Sequence, residues 1–523
     1  MTGKIAAMNR VSRRWVLKNS AVAAGLWCAI PGRFTFARAA QSTRIHQVFP
    51  DLDNIHKWDQ SNGDTWDPFW ADDGSLYAFN CDGRGFGTQP RNLAFNKLAG
   101  NSCTTLAGST VNSMDEYGKS GEKGPDGATW KACGQECIDG IFYAFVSRNT
   151  YGSDSGDAQT RQTAVNSSLI KSPDRGLSWT RTAEENYKQP IWPGPSFGAP
   201  YFAHYGQNGG KVLRDQADRY VYASSTNGFW NDGDSYILGR VERNKLPELR
   251  SADWSYYAGG DGSLDASWSS AIGDAKPIFS SAARCGQGPI CFVPALDLYL
   301  MVSWYNTAKM TKWFEPNRMQ YDFYQAEHPW GPWDLVSSFD DSFISSGHMY
   351  GPTLCIRFQQ RAGSEVAMSM FTAGCPFEDI PSGLYKMWEI PLILRTEPQP
   401  ASVAIPSDDP RVVYRGAWHG GNGKLSSLHP ETRYTNIKGD SVELQFEGTG
   451  VALIAEKGPE FGEAEVYVDG RRKATLRLHT DDFPRISSVQ VFAATGLSQG
   501  THTIRMVNAS GNYAAVQAFQ ITA

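Results

Sequence analysis

Three aspartates that could do acid–base chemistry lie close together early in the chain, in the stretch GDTWDPFWADDGSLYAFNCDGRGFG at residues 63–87: Asp64, Asp67 and Asp82. Residues 74–80 read as a strand, with Leu76, Tyr77 and Phe79 apolar or aromatic and Asp73-Gly74 as the turn before it. Two strands folded back on each other bring Asp64 or Asp67 close to Asp82. Burial and a neighbouring negative charge both disfavour ionisation, so one member of a carboxylate pair in an aromatic cleft is pushed toward its protonated form. A protonated acid beside an ionised carboxylate is what hydrolysis of a glycosidic bond requires. Asp64 and Asp82 are the leading catalytic pair, with Asp67 as the substitute. The competing reading makes all of these acids turn residues.

A second acidic candidate is Glu136, in Cys133-Gly134-Gln135-Glu136-Cys137, which could tune the first pair. Just after it, Asp139-Gly140-Ile141-Phe142-Tyr143-Ala144-Phe145 echoes Asp73-Gly74-Ser75-Leu76-Tyr77-Ala78-Phe79. The echo marks Asp72 and Asp73 as repeat architecture rather than chemistry. Flat aromatic faces bury the C–H surfaces of sugar rings, and Trp66, Trp192 and Trp230 are the candidate platforms. His348 and Tyr350, in His348-Met349-Tyr350-Gly351-Pro352, could contact a sugar or act as base and acid in an eliminative cleavage. Such a lyase also needs a cation beside a uronate carboxylate, for which Arg84, Arg240 or Arg284 would serve; Arg240 is the substrate-binding candidate. No phosphate-binding loop, dinucleotide fingerprint or HExxH motif is present. No metal or cofactor is expected; a structural Ca²⁺ stays open.

The elements that must position these residues are strands. Glycine and tryptophan are plentiful, with 52 and 17 residues, and no long helical periodicity runs through the chain. Between residues 40 and 394, paired strand-like runs recur at about 65–80 residues, the spacing of four-stranded propeller blades, and their number favours five. Ser172-Pro173-Asp174-Arg175-Gly176-Leu177-Ser178-Trp179 fits a hairpin turn in which the aspartate caps backbone N–H groups and the tryptophan packs between strands. Residues 395–411, with four prolines, read as a linker. From 412 to 523, short alternating strands separated by glycine turns read as a β-sandwich. The expected fold is therefore all-β: a five-bladed β-propeller followed by a jelly-roll sandwich.

Residues 1–39 read as a twin-arginine export signal: Arg13-Arg14, Lys18, an apolar run over 21–30 and Ala37-Arg38-Ala39. The expected product is periplasmic or secreted, monomeric, and without a membrane anchor after cleavage. Removing the signal takes the formal net charge from −5 to about −12, which argues against a nucleic-acid partner. An even set of cysteines in an oxidising compartment predicts disulfides, with Cys133–Cys137, Cys285–Cys291, Cys81–Cys103 and Cys355–Cys375 as the candidates.

Two resemblances extend this reading. Residues 414–418, Phe446-Glu447-Gly448-Thr449-Gly450-Val451, Val466-Tyr467-Val468-Asp469-Gly470 and residues 496–504 are similar to the galactose-binding-like modules of exported carbohydrate-active enzymes. Asp64, Asp73-Gly74-Ser75-Leu76-Tyr77 and Cys81-Asp82-Gly83, with residues 236–241 and Trp268-Ser269, resemble the propellers of a bacterial endo-D-arabinanase family and the arabinanase and fructosidase clan. Cys81 departs from that pattern, where glycine is usual. The 172–179 turn resembles the Asp boxes of sialidase-like propellers. Together these imply a glycoside hydrolase acting on a polysaccharide, the expected partner. A polysaccharide lyase on the same fold and a non-catalytic carbohydrate-binding protein are the alternatives.

Overall fold

A computed structural model describes residues 44–151, 162–260, 266–307, 319–344, 348–375, 383–398, 400–420, 432–480 and 485–523. The expected signal at 1–39 lies outside the described residues. Among those described, the chain is nearly all β, with one short α-helix, Ala183–Lys188. Thr182 caps it, accepting from the Glu185 amide while the Glu185 carboxylate returns to the Thr182 amide. Among the described residues, no helix is long and apolar enough to cross a membrane.

Five antiparallel sheets follow one another in the first 395 residues. The first runs Asn62–Asp64, Leu76–Gly85, Arg91–Ala99, Ala107–Asn112, and the second Thr129–Ile138, Ile141–Thr150, Thr163–Ser172, Trp192–Pro193. The third begins at Pro200–Phe202 and the fourth at Ile290–Val293. The fifth runs His348–Ala362, Glu365–Cys375, Met387–Arg395 and then, from the other end of the chain, Gln47–Pro50. Val48 and Phe49 pair with Leu394 and Ile393, so the N-terminal strand completes the last sheet.

Successive sheets touch one another. The Asp67 carboxylate accepts from the Gln135 amide across the first and second sheets. Gly134 sits in a bulge of the second sheet, where a Cβ would lie 2.2 Å from the Tyr201 Cα; only glycine permits that approach to the third sheet. His204 bridges to Cys291 of the fourth, Tyr321 donates to the Met349 carbonyl of the fifth, and Thr353 donates to the Trp66 carbonyl of the first.

Apolar faces fill the spaces between successive sheets. Phe69, Tyr77, Phe95 and Phe142 pack between the first and second, Phe145, Trp192, Phe197 and Trp254 between the second and third. Trp58, Trp66, Leu76 and Phe371 close the gap between fifth and first. The 172–179 turn forms as its residues require: Asp174 accepts from the Ser178 amide and hydroxyl at 2.9 and 2.6 Å, and Trp179 packs on Phe79 and Phe95.

Residues 402–523 form a second group of sheets. One is ordered Ser402–Pro406, Ala518–Thr522, Gly450–Lys457, Ile486–Ala494, another Val412–Arg415, Ser441–Gly448, Gly500–Asn508, Glu463–Val468, Arg471–Arg477, and a third, smaller one His419–Gly420, Arg433–Thr435, Ala514–Val516. Part of the expected linker is thus a strand: Ser402–Pro406 pairs with Ala518–Thr522. Ile486 and Val489 insert into the core of the fourth and fifth sheets, and Ile344 bridges to Ile486.

The expected disulfides do not form among the described cysteines: Cys81, Cys103, Cys133, Cys137, Cys285, Cys291 and Cys355 are buried and in no disulfide. Cys133 and Cys137 lie on one strand, where the rise of about 3.3 Å per residue separates them by roughly 13 Å, beyond the reach of a disulfide. Cys81 and Cys103 face different cores, as do Cys285 and Cys291. The side chain of Cys375 lies outside the described set. Burial pushes the Cys81, Cys137 and Cys355 thiols up to about 12, so they are not thiolates at neutral pH. Alkylation of the native protein should therefore be slow. In denaturant without reductant these seven cysteines should all react, and a mass count showing them oxidised would contradict the arrangement.

Candidate active site

The site grows from the kink at Thr65. Asp64 ends the first strand opposite Cys81 and is 5% exposed. Thr65 and Asp82 both adopt left-handed backbone, with φ of 53° and 49°. Such a conformation costs a side-chain-bearing residue roughly 1–3 kcal/mol and persists only where the surroundings enforce it. The result divides three nearby aspartates between two buried networks.

The first network joins the first, second and fifth sheets. Tyr350 donates to Asp64 Oδ2 at 2.7 Å. Asp82 Oδ2 receives the Lys131 ammonium and the Tyr151 hydroxyl, the latter at 2.7 Å. Tyr385 donates to the Asp82 carbonyl at 3.1 Å. Asp82 Oδ1 is buried and has no hydrogen-bond partner, a costly state for a carboxylate oxygen and one that a bound hydroxyl would relieve.

The two carboxylates are unequal. Burial is the largest influence on Asp64 and raises its pKa; Lys131 and the Tyr350 hydroxyl oppose it, the Asp82 charge adds to it, and the outcome is about 6. Burial alone would lower the Lys131 pKa, but the charges of Asp82, Tyr151 and Asp64 outweigh it and hold the ammonium well above its usual value. Lys131 touches Asp82 directly, so the ion pair forms there, and Asp64 is protonated as pH falls through about 6.

The second network joins the first three sheets. His204 Nε2 lies 2.9 Å from Asp67 Oδ1 and its Nδ1 lies 2.8 Å from Glu136 Oε2. The Gln135 amide donates to Asp67 at 3.1 Å and the Cys137 amide to Glu136 at 2.9 Å. A neutral imidazole has one N–H; two facing carboxylates call for both. Burial lowers the His204 pKa, but Asp67 and Glu136 outweigh it and push it up to about 10. Burial also raises the Glu136 pKa, against the hydrogen bond and charge of His204.

Of the expected site residues, the structure brings Asp64, Asp82 and Tyr350 together, and places Asp67 and Glu136 in the adjoining network. His348 is buried on the Tyr350 strand, its ring 6.1 Å from Tyr350. The three tryptophans are not platforms. Trp66 is fully buried and packs on Phe86. Trp192 donates to the Tyr256 hydroxyl inside the second core, and Trp230 is buried in the same core; rings without an exposed face stack on no sugar. Arg240 is likewise occupied, its guanidinium between the Tyr220 and Trp268 rings at 4.2 and 3.9 Å. Lys131, Tyr151 and Tyr385 were not anticipated. The one local signal was Lys131 itself, a lysine in the otherwise apolar run Trp130-Lys131-Ala132-Cys133. Among the described residues, no group of three or more His, Cys, Asp or Glu side chains stands in metal-binding geometry.

No family model matches the chain. It is 38% identical over 112 residues to an A type blood N-acetyl-alpha-D-galactosamine deacetylase of Flavonifractor plautii, covering 21% of this chain and 14% of that protein. It is 32% identical over 123 residues to an A type blood alpha-D-galactosamine galactosaminidase of the same organism, covering 22% of this chain and 11% of that protein. The chain thus spans between a tenth and a seventh of the length of these curated relatives. Among solved structures, it aligns with an exo-beta-1,3-galactanase from Phanerochaete chrysosporium at 11% identity and a TM-score of 0.38, over 91% of this chain and all of that one. It aligns with a beta-fructofuranosidase from Bombyx mori at 9% identity and a TM-score of 0.40, over 92% and 94%.

His204 generates a stability prediction. Its folded pKa of about 10 exceeds the ordinary 6.5, so its contribution is complete below pH 6.5 and is lost as pH rises through 10. Denaturant midpoints should fall across that window. His204→Gln should be destabilised by about 3–5 kcal/mol at pH 6 and show a flatter decline; an unchanged slope would refute the imidazolium assignment.

Proposed function

We propose that the protein is an exported glycoside hydrolase that cleaves a polysaccharide, with Asp64 as general acid and Asp82 as the ionised base or nucleophile. The observation that carries this reading is the asymmetric pair: Lys131 and Tyr151 on Asp82, a buried Asp64 with its pKa raised to about 6. A proton held on Asp64 can pass to a departing glycosidic oxygen, while the unpartnered Asp82 Oδ1 is free to meet water or the anomeric carbon. Tyr350 orients the acid. Lys131 keeps the second charge in place, acting through Asp82 rather than on the sugar.

The framework we assign is a five-bladed propeller, residues 40–394, followed by a β-sandwich. Its support is the order of the five sheets, the contacts between successive sheets and the strand Gln47–Pro50 closing the last sheet. Export rests on residues 1–39. The relatives named for galactosamine chemistry keep the reading within carbohydrate substrates. They carry different activities yet share stretches of similar length with this chain, as an accessory sugar-binding module would.

Asp64→Asn and Asp82→Asn should each lower kcat by about 10²–10⁴ on the responsive member of a panel of arabinans, arabinogalactans and uronans, with unchanged circular dichroism. Full activity in either variant would remove the pair from the mechanism. An ultraviolet-absorbing unsaturated product would mean elimination instead of hydrolysis.

The pH profile supplies an independent check. Because Asp64 must be protonated, kcat/KM should fall as pH rises through about 6. Lys131 lowers the Asp64 pKa, so Lys131→Met should move that limb to higher pH while reducing kcat. A limb that stays in place would show that another group is the acid.

A further inference from the structure

A cleft of about 710 Å³, lined by none of the residues of the carboxylate pair's network, opens between the fourth and fifth sheets and the C-terminal unit. We propose that it is a second carbohydrate site, which holds a neutral glycan chain without cleaving it. This rests on the polysaccharide reading above for the class of ligand, and on the cleft itself for the site.

Four side-chain amides line the cleft, two from each unit: Gln47 and Gln320, Gln490 and Gln520. A primary amide offers both donor and acceptor; Gln320 already donates to the Phe339 carbonyl at 3.1 Å and the Gln47 side-chain carbonyl accepts from Arg395 at 3.2 Å, which fixes these two side chains and turns the Gln320 side-chain carbonyl and the Gln47 side-chain N–H groups to sugar hydroxyls. The half-buried ring of Phe339 lies in the same lining, stacked from within on Phe323 at 5.2 Å, so it has one supported face and supplies the apolar surface that C–H groups of a pyranose or furanose bury. The volume falls within the range of ordinary ligand sites.

The charges select against polyanions. Arg395, the one guanidinium in the lining, is already paired with Glu365 at 2.8 Å and lies over the Phe49 ring at 4.2 Å. The lining carboxylate of Asp53 is paired with Lys457 at 3.0 Å, and Asp51 and Asp340 add further negative charge. A uronan or a nucleic acid would meet like charge here, whereas a neutral glycan would meet acceptors for its hydroxyls.

The cleft is built before any ligand arrives. The Ser487 amide donates to the Phe343 carbonyl at 3.1 Å and its hydroxyl to the Ser342 carbonyl at 2.9 Å. Ile486 and Val489 anchor the same strand in the core beneath. Ser488, on the rim, has a left-handed φ of 59° and its amide donates to Gln517 at 2.6 Å. A chain lying in the cleft would therefore be read by both units at once.

The test uses the full chain carrying Asp82→Asn, to prevent turnover, with and without Gln320→Ala and Gln490→Ala, one change from each wall. Binding of arabinan and arabinogalactan is measured by calorimetry, with polygalacturonate as the anionic comparison. At least one neutral glycan should bind, about tenfold more weakly in the double-alanine protein, and polygalacturonate should not compete. With Asp82 intact, the double variant should turn over short oligosaccharides like the parent. Equal affinity with and without the alanines, no binding of either neutral glycan, or preferred binding of polygalacturonate would each overturn the proposal. Loss of glycan affinity on the alanine changes in a protein that cleaves nothing would uphold the cleft and overturn the hydrolase reading alone.

Discussion

Two carboxylates from different sheets, Asp67 and Glu136, are satisfied by one imidazolium from a third, His204. All three are buried, so none can fall back on water. Removing a partner from such a group costs several kcal/mol because it strands the remaining charge. The first three sheets are thereby held at fixed separations by a polar contact whose geometry is more exacting than that of the surrounding aromatic cores. Glu136 shares its strand with Lys131, and Asp67 follows Asp64 by three residues. The triad thus bears directly on where Asp64 and Lys131 stand.

The inequality of Asp64 and Asp82 then follows from placement rather than from residue type. Both are aspartates, both are inside the protein, and each feels the other. What separates them is that the ammonium of Lys131 contacts one and only biases the other. A single lysine can therefore place two identical groups in different electrostatic surroundings. The cost is a lysine placed where solvent cannot reach it, stabilised only while its carboxylates remain.

How much of this was legible differs by level. The C-terminal strands were, because alternation is local: residues 442–446, 451–454 and 464–468 lie within the observed strands. Asp64 and Asp82 were also legible, since the turn at Asp73-Gly74 and the strand after it fold the chain back within twenty residues. Asp67 and Glu136 were visible as acids but not as partners of His204, which lies in another sheet more than sixty residues from either. Tyr151 and Tyr385 were hidden for the same reason. The tryptophans misled because a ring that stacks on sugar and a ring that fills an inter-sheet core have the same composition signature; burial alone tells them apart. The cysteines misled because an even count says nothing about which cores they face.

The pairing of Gln47–Pro50 with the last strand of the fifth sheet has a kinetic side. The side chains of Gln47 and Arg395 meet across a sequence separation of 348 residues. Contacts that distant are slow to form, since the entropy of closing the intervening loop must be lost before the pairing returns anything. The first unit is therefore unfinished until its farthest strand has been synthesised, and a chain interrupted before that point would carry an open sheet edge able to recruit another. Once joined, the same seam makes the two ends each other's clasp, so opening it parts residues from opposite ends of the unit.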